Sequence, residues 1–335
     1  MRLIIAFLLI TGSAFAQFQA FDETPTIGPS TPTGKSFNEN IIFEARPIVK
    51  FQIHDHLWDR ILNGDKDSSW ISRTFLVFDP QLRMLTSNSV PVRMPSYRIF
   101  LQTSATHLFG GPSHPWSIGS LILDHGHYSN GQDGCTFGST ADNDSTCKDI
   151  YKTLDTKVDL DAALNRRSGE YSTDFLRVKT KLMWIRKLYD TQVSDAWEFT
   201  GGYTHLVNWW FGFGVGGYKE ADTHYYPMNQ YYLEIARHHY FLNPKNSFLH
   251  DGQQLRGGIE LFVKPSDNSQ VTPFNVAAFA TFYLQNTLGF FVKAEYGQDA
   301  YNIRLVDKVT RGMVGLVWSP VSYEPTTIEF PRKGF

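Results

Sequence analysis

The stretch that decides the fold is Ser172–Arg186, which reads STDFLRVKTKLMWIR. Successive side chains of a β-strand point to opposite faces, so alternate residues of this stretch form two sets. One set is mainly apolar, and the other carries the three cations Arg177, Lys179 and Lys181. Three cations on one face cannot all point into lipid. They therefore predict a polar lumen, and the apolar set predicts a face against the bilayer.

The same alternation recurs from Asn40 onward, in segments of about ten residues that are separated by polar turns. The predicted strands are 40–54, 71–78, 96–108, 116–129, 172–186, 194–206, 208–218, 229–240, 254–264, 273–284, 287–297 and 309–319. The sequence thus predicts an all-β fold, an antiparallel transmembrane β-barrel of about 12 strands. A soluble β-sandwich would also alternate, but its dry core would tolerate unpaired cations poorly.

Composition excludes several other classes of protein. The chain of 335 residues has 15% aromatic and 19% charged residues, with a formal net charge of −2. This charge balance offers no electrostatic basis for nucleic acid as a partner. Beyond the N-terminal segment there is no run of about 18 apolar residues, so membrane-spanning helices are not expected.

The two ends of the chain read differently from its middle. Residues 1–16 resemble a cleavable signal peptide, with Arg2, a short apolar core and a small-residue pattern that ends at Ala16. Residues 17–39 read as an irregular lead-in, residues 40–320 as the outer-membrane β-barrel and residues 321–335 as a C-terminal tail. The chain is therefore predicted to reach the outer membrane of a Gram-negative-type bacterium.

Export also bears on the two cysteines, Cys135 and Cys147, which lie close together in a polar segment. An oxidising compartment favours a disulfide between them, and two free thiols are the alternative.

Candidate chemistry is concentrated at the end of the predicted strand 116–129, in the segment DHGHYSNGQDG of residues 124–134. His127 and Ser129 share the face of Leu121 and Leu123, which is predicted to meet lipid. Their backbones lie about 6.5–7 Å apart along the strand, so an imidazole can reach the hydroxyl. The pair therefore suits a general base beside a nucleophile.

A serine nucleophile with a histidine base needs a third group to orient the imidazole, and Asp174 is the candidate. It begins the next predicted strand on the apolar face, where a carboxylate is costly without a partner. His125 shares the face of His127 but is expected to support the site or lie at the interface. A metal site of Asp124, His125 and His127 is disfavoured because Asp124 points to the opposite face.

The segment His127–Gly131, HYSNG, resembles the active-site signature of the outer-membrane phospholipase A family, a family of calcium-dependent, dimerising barrels. Three further patches resemble that family, and the resemblance covers roughly residues 49–185. These patches are Asp174–Met183, Pro91–Arg93 with Tyr97, and Val49–Gln52 with Leu57–Trp58.

The resemblance implies that Ser129 is the nucleophile, His127 the general base and Asp174 the third residue of a phospholipase A1/A2. Well-known members have asparagine at the third position, and Asn165 is the alternative if the alignment shifts. The resemblance also implies an oxyanion hole that contains the Ser129 amide and calcium-bound water.

A Ca²⁺ ion beside the nucleophile is a further implication of the resemblance. The backbone carbonyl of Gln132 and Ser89 of a partner subunit would be ligands, and Asp133, Asp142 and Asp144 remain open as the side-chain ligand. The resemblance further implies a membrane phospholipid as substrate and a reversible homodimer as the active form. The functional alternatives are a non-enzymatic barrel, either a small pore or a structural protein, and an inactive member of the family.

Overall fold

Alternating β-strands account for nearly all of the computed structural model, which describes residues 26–32, 41–55, 70–85, 96–109, 117–132, 134–137, 160–165, 168–189, 192–207, 226–241, 253–266, 270–285, 288–299 and 307–318. The strands are β1 (Thr26–Pro32), β2 (Ile41–Arg46), β3 (Val49–Asp55), β4 (Trp70–Leu85), β5 (Ser96–Phe109), β6 (Ser117–Ser129), β7 (Ser172–Tyr189), β8 (Gln192–Val207), β9 (Asn229–Phe241), β10 (Gln253–Val263), β11 (Phe274–Gln285), β12 (Leu288–Gln298) and β13 (Lys308–Trp318). One helical turn, α1 (Leu160–Ala163), precedes β7. No helix in these ranges is long and apolar enough to cross a membrane.

The strands form one closed antiparallel sheet. Each strand from β4 to β13 pairs with its neighbour in sequence, β13 pairs with β1, and β1 pairs with β2. Both β2 and β3 pair with β4, and they are separated only by Pro47 and Ile48. Proline has no N–H for the ladder, so Pro47 interrupts one long barrel strand. The 13 strand segments therefore build a 12-stranded barrel, and the predicted fold class is confirmed.

The outer surface of the barrel is apolar, and its interior is polar. Large apolar side chains point outward at alternate positions, as Leu121, Leu123, Leu176 and Leu182 do. The intervening residues face the lumen and are buried. A closed barrel satisfies every strand N–H and C=O group internally, as a strand inside lipid must. The protein is thus an outer-membrane β-barrel that crosses the bilayer with its strands.

The predicted cationic row of β7 lines the lumen, as expected. The Arg177 guanidinium lies 2.7 Å from a carboxylate oxygen of Asp124, and the Lys181 ammonium lies 2.8 Å from a carboxylate oxygen of Glu198. A second network joins Glu44 to Arg83 at 2.6 Å and to Arg311 at 2.7 Å. Glu44 therefore links β2 to β4 and to β13 across the interior.

The bridged lumen has little free space in the described part of the barrel. It contains a cavity of about 300 Å³, lined mainly by charged and aromatic side chains. Side chains fill a barrel of about eight strands, and the wider interior of this one is crossed by its charged pairs.

Eleven of the predicted strands coincide with observed strands. The twelfth, 208–218, lies outside the described residues, and β8 and β9 on either side of it pair directly with each other. The interpretation of 17–39 as an irregular lead-in is wrong for Thr26–Pro32, which forms β1 and closes the barrel. Its pairing with β13 is interrupted at Gly28 and Pro29. A Cβ on Gly28 would lie 2.0 Å from the Val314 carbonyl oxygen, so only glycine permits this close approach.

Candidate functional site

The candidate site lies at the end of β6, at the same end of the barrel as the connection formed by residues 130–171. In the register between β6 and β7, His127 lies directly opposite Asp174. On the other side of β6, His127 is opposite Ile99 of β5. The lumen side of this strand is tight, because a Cβ on Gly126 would lie 2.2 Å from the Ile99 carbonyl oxygen. The barrel wall therefore fixes the backbone beneath His127.

A hydrogen bond joins the two predicted partners. His127 Nδ1 lies 2.8 Å from Asp174 Oδ1. Because a carboxylate carries no proton, Nδ1–H of the imidazole is the donor, which leaves Nε2 as the basic nitrogen. The Asp174 side chain is 1% exposed, whereas that of His127 is 25% exposed. The carboxylate is therefore buried behind an imidazole that still reaches the membrane face.

Ser129 stands two residues beyond His127 on the same outward face and is partly exposed. It lies opposite Tyr97 of β5 and Ser172 of β7. Among the described residues, no hydrogen bond joins the Ser129 hydroxyl to His127. The predicted nucleophile and base share the outward face of β6. Hydrogen bonds between a nucleophile and its base often tighten only when substrate is bound.

The neighbouring residues of β6 occupy the faces that were expected for them. His125 shares the outward face and is opposite Leu101 and Leu176. Asp124 points into the lumen, where it accepts hydrogen bonds from Gln102 and Arg177 at 2.9 and 2.7 Å. Asp124 and His127 are therefore on opposite sides of the wall and cannot share a metal ion.

Asn165, the alternative third residue, lies in the loop and does not contact His127. Its Nδ2 donates to the Cys135 carbonyl oxygen at 3.0 Å, and its Oδ1 accepts from the Ser168 amide at 3.1 Å. Between the two candidates, the structure places Asp174 against the imidazole.

The outward surroundings of the pair are apolar. Ile99, Leu101, Leu123 and Leu176 are between 42% and 48% exposed on the barrel wall. This surface continues from His127 toward the middle of the barrel.

The loop after Ser129 pairs with the segment that enters β7 and contains a disulfide-bonded cysteine. Cys135 is fully buried and is bonded in a disulfide, and Cys147 is the other cysteine of the sequence. A disulfide was therefore correctly expected at Cys135. Two backbone bridges, Gly134 with Gly169 and Phe137 with Leu164, accompany it.

Asn130, which was missed as a candidate from the sequence, organises this loop. Its buried side chain makes three hydrogen bonds to the backbone of both loop segments. The sequence signal was the Asn130-Gly131 dipeptide, because asparagine followed by glycine favours a side-chain-closed turn with a left-handed residue.

The predicted calcium ligands are mostly outside the described residues. Gln132 directly follows the turn and is partly exposed, whereas Ser89, Asp133, Asp142 and Asp144 lie outside that part of the chain. Within it, no cluster of three or more His, Cys, Asp or Glu side chains could hold a metal ion. Of the predicted calcium ligands, only Gln132 lies within the described residues.

Comparison with known proteins gives matches among solved structures only. No protein-family model and no curated protein matches the chain. It is similar to outer membrane phospholipase A from Escherichia coli, with 13% identity, 89% of this chain and 92% of that chain covered, and a TM-score of 0.48. It is also similar to the Salmonella typhi outer membrane phospholipase dimer with bound calcium, with 11% identity, coverage of 91% and 95%, and a TM-score of 0.46.

A third similar structure is the NanC porin, with 10% identity, coverage of 88% and 99%, and a TM-score of 0.36. Similarity at this level assigns neither an activity nor the roles of residues. Those roles must be argued from the site itself.

Proposed function

We propose that this protein is an outer-membrane phospholipase A that hydrolyses acyl ester bonds of glycerophospholipids. The observation that carries the proposal is the 2.8 Å hydrogen bond between His127 and the buried Asp174, on the lipid-facing wall and two residues before Ser129. A buried carboxylate on that face is costly without a partner. Its pairing with an imidazole beside a serine suits a nucleophilic hydrolase.

The proposed reaction begins with proton transfer from Ser129 Oγ to His127 Nε2 as Oγ attacks the ester carbonyl carbon. The resulting imidazolium donates its proton to the departing lysophospholipid alkoxide, so that an acyl-serine and a lysophospholipid are formed. In the second half, His127 takes a proton from water, the hydroxide attacks the acyl carbonyl, and fatty acid leaves as Ser129 regains its proton. Asp174 holds the imidazole tautomer and stabilises its positive charge.

The position of the site explains why a membrane lipid is the proposed substrate. His127 is flanked on the barrel wall by the exposed apolar side chains of Ile99, Leu101 and Leu176. A phospholipid that diffuses in the outer leaflet reaches this surface sideways, with its acyl chains along the wall. A polar, water-soluble ester would have to lose its hydration and enter the bilayer to reach this surface, so the same contacts would not favour it.

Calcium and dimerisation are parts of the proposal that rest on the resemblance of the HYSNG segment. When bound, calcium would add positive charge near the developing oxyanion. The proton transfers described above use only residues of this chain.

The test is release of fatty acid from phosphatidylcholine in mixed micelles by refolded protein. Wild type, Ser129→Ala and His127→Ala are compared, each with calcium and with chelator. Ser172→Ala is the matched control, because Ser172 is the register partner of Ser129 on β7 and lacks a neighbouring imidazole on its strand. We expect an active wild type and control, calcium dependence, and loss of activity in the other two variants.

An inactive wild type, or Ser129→Ala with unchanged activity, would refute the proposal. Activity that persists in chelator and still requires Ser129 would exclude a calcium requirement and leave the proposed hydrolase activity standing. The bridged lumen argues against a wide pore, and planar-bilayer conductance would measure that alternative directly.

A further inference from the structure

The carboxamide directly after the proposed nucleophile is buried and makes three hydrogen bonds. The Asn130 side chain is 0% exposed. Its Oδ1 accepts from the amides of Gln132 and Tyr171 at 3.2 and 2.9 Å, and its Nδ2 donates to the Gly169 carbonyl oxygen at 2.8 Å. One side chain thus satisfies three backbone groups.

These hydrogen bonds connect the two chain segments that carry the site. Gln132 belongs to the segment leaving Ser129, whereas Tyr171 immediately precedes β7, the strand of Asp174. The Asn130 amide also donates to the Tyr171 carbonyl oxygen at 3.0 Å. Asn130 therefore continues the pairing of β6 with β7 beyond the last pair of the barrel, Ser129 with Ser172.

The local turn depends on the same side chain. The contact from Gln132 N–H to Asn130 Oδ1 closes a turn around Gly131, whose φ is +65°. Glycine adopts this left-handed conformation without the steric penalty of a side chain. Asn130 selects the turn, and Gly131 permits it.

We propose that Asn130 is a positioning residue of the hydrolase site, holding Ser129 in place relative to the strand that carries Asp174. The inference rests on the proposed function. Without the carboxamide, the end of β6 loses its side-chain hydrogen bonds to Gly169 and Tyr171 and keeps the backbone bond from the Asn130 amide to Tyr171, so the position of Ser129 is less firmly set. A displacement of about 1 Å at a reacting atom can cost about a hundredfold in rate.

Only an amide meets all three demands at once. An oxygen is needed for two N–H donors, and an N–H is needed for the Gly169 carbonyl oxygen. Aspartate supplies the oxygen but, when ionised, turns a second oxygen toward that carbonyl. Aspartate at position 130 therefore keeps the size of the side chain but loses the hydrogen bond to Gly169.

The experiment measures the rate at which a fluorophosphonate probe labels Ser129 in the full-length refolded protein with calcium present. The variants are Asn130→Ala and Asn130→Asp. The matched control is Asn165→Ala, which also removes buried loop hydrogen bonds but does not adjoin Ser129. Thermal unfolding of each variant in detergent accompanies the labelling.

We expect Asn130→Ala to label about a hundredfold more slowly than wild type, and Asn165→Ala to label within about threefold of it at a similar loss of thermal stability. Asn130→Asp should also label more slowly than wild type, because its ionised carboxylate cannot donate to the Gly169 carbonyl oxygen. In both variants the slowing should lie in the maximal labelling rate and not in the probe concentration that gives half of that rate, because the residue positions Ser129 and does not contact the probe.

Labelling of Asn130→Ala at the wild-type rate, equal slowing in Asn165→Ala, or labelling of Asn130→Asp at the wild-type rate would each overturn the positioning role. If wild type labels at Ser129 but releases no fatty acid from phosphatidylcholine, the proposed substrate is refuted, and the labelling rates still test the positioning role of Asn130. Wild type that does not label at Ser129 would overturn both proposals.

Discussion

Removal of the Asp174 carboxylate should separate catalysis from stability. The 2.8 Å contact between His127 Nδ1 and Asp174 Oδ1 is a hydrogen bond to a charged group, which contributes roughly 1.5–3 kcal/mol. If that free energy is needed mainly to orient the imidazole and stabilise its charge, its loss lowers kcat by about 10- to 150-fold. Asp174→Ala should show this loss, with little change in KM.

The stability of Asp174→Ala should change much less than its activity. The second carboxylate oxygen of Asp174, Oδ2, is buried without a hydrogen bond in the described part of the chain. Such a group carries a desolvation cost that the folded barrel must offset. Alanine removes that cost, and the partly exposed His127 can find water instead. We therefore expect an unfolding temperature equal to or above that of wild type.

Asp174→Asn gives an intermediate result, because an amide oxygen can still accept the Nδ1–H bond of His127. The neutral acceptor contributes about half as much as a charged one, so the loss should be about tenfold or less. Thr180→Ala, on the same outward face of β7, serves as the control. The assay is fatty-acid release from phosphatidylcholine, beside thermal unfolding in detergent. Asp174→Ala with wild-type kcat would refute the orienting role, and an unfolded Asp174→Ala would refute the energetic argument.

Three further predictions concern the scaffold. Gly126→Ala should destabilise the barrel by about 1–3 kcal/mol or prevent refolding, because its Cβ would lie 2.2 Å from the Ile99 carbonyl oxygen. Gly201→Ala is the control and should refold normally in a gel-shift assay, because its Cβ would lie 3.8 Å from its nearest neighbour. Burial lowers the pKa of Lys264 from 10.5 to about 8, so the folded protein pays to keep this side chain charged below pH 8. Lys264→Met should therefore raise thermal stability most below pH 8, and the gain should fall as the pH approaches 10.5, where the unfolded state also loses its proton. A gain that does not depend on pH would contradict this. Reduction of the disulfide at Cys135 should lower the temperature at which activity is lost and leave the unfolding of the barrel nearly unchanged, as comparison of heat inactivation with loss of heat-modifiable migration would show.

Much of the candidate site could be predicted because strand periodicity is a local property. The alternation of residues 172–186 placed Arg177 and Lys181 in the lumen, where they pair with Asp124 and Glu198. The same parity placed His127, Ser129 and Asp174 on the outward face. Asn130 was missed because its role depends on three backbone groups, two of which lie about 40 residues away in sequence.

The sequence by itself determined the class of fold, the positions of most strands and the face on which each candidate residue lies, since a period of two residues can be read from neighbours alone. Only the tertiary structure decided that Asp174, and not Asn165, meets His127, because a shift of one residue in the register of β7 would move every side chain to the other face. It also decided that the proline-containing segment Thr26–Pro32 closes the barrel beside β13. Register and closure are set by pairing between distant strands, and that information is absent from any single stretch of the chain.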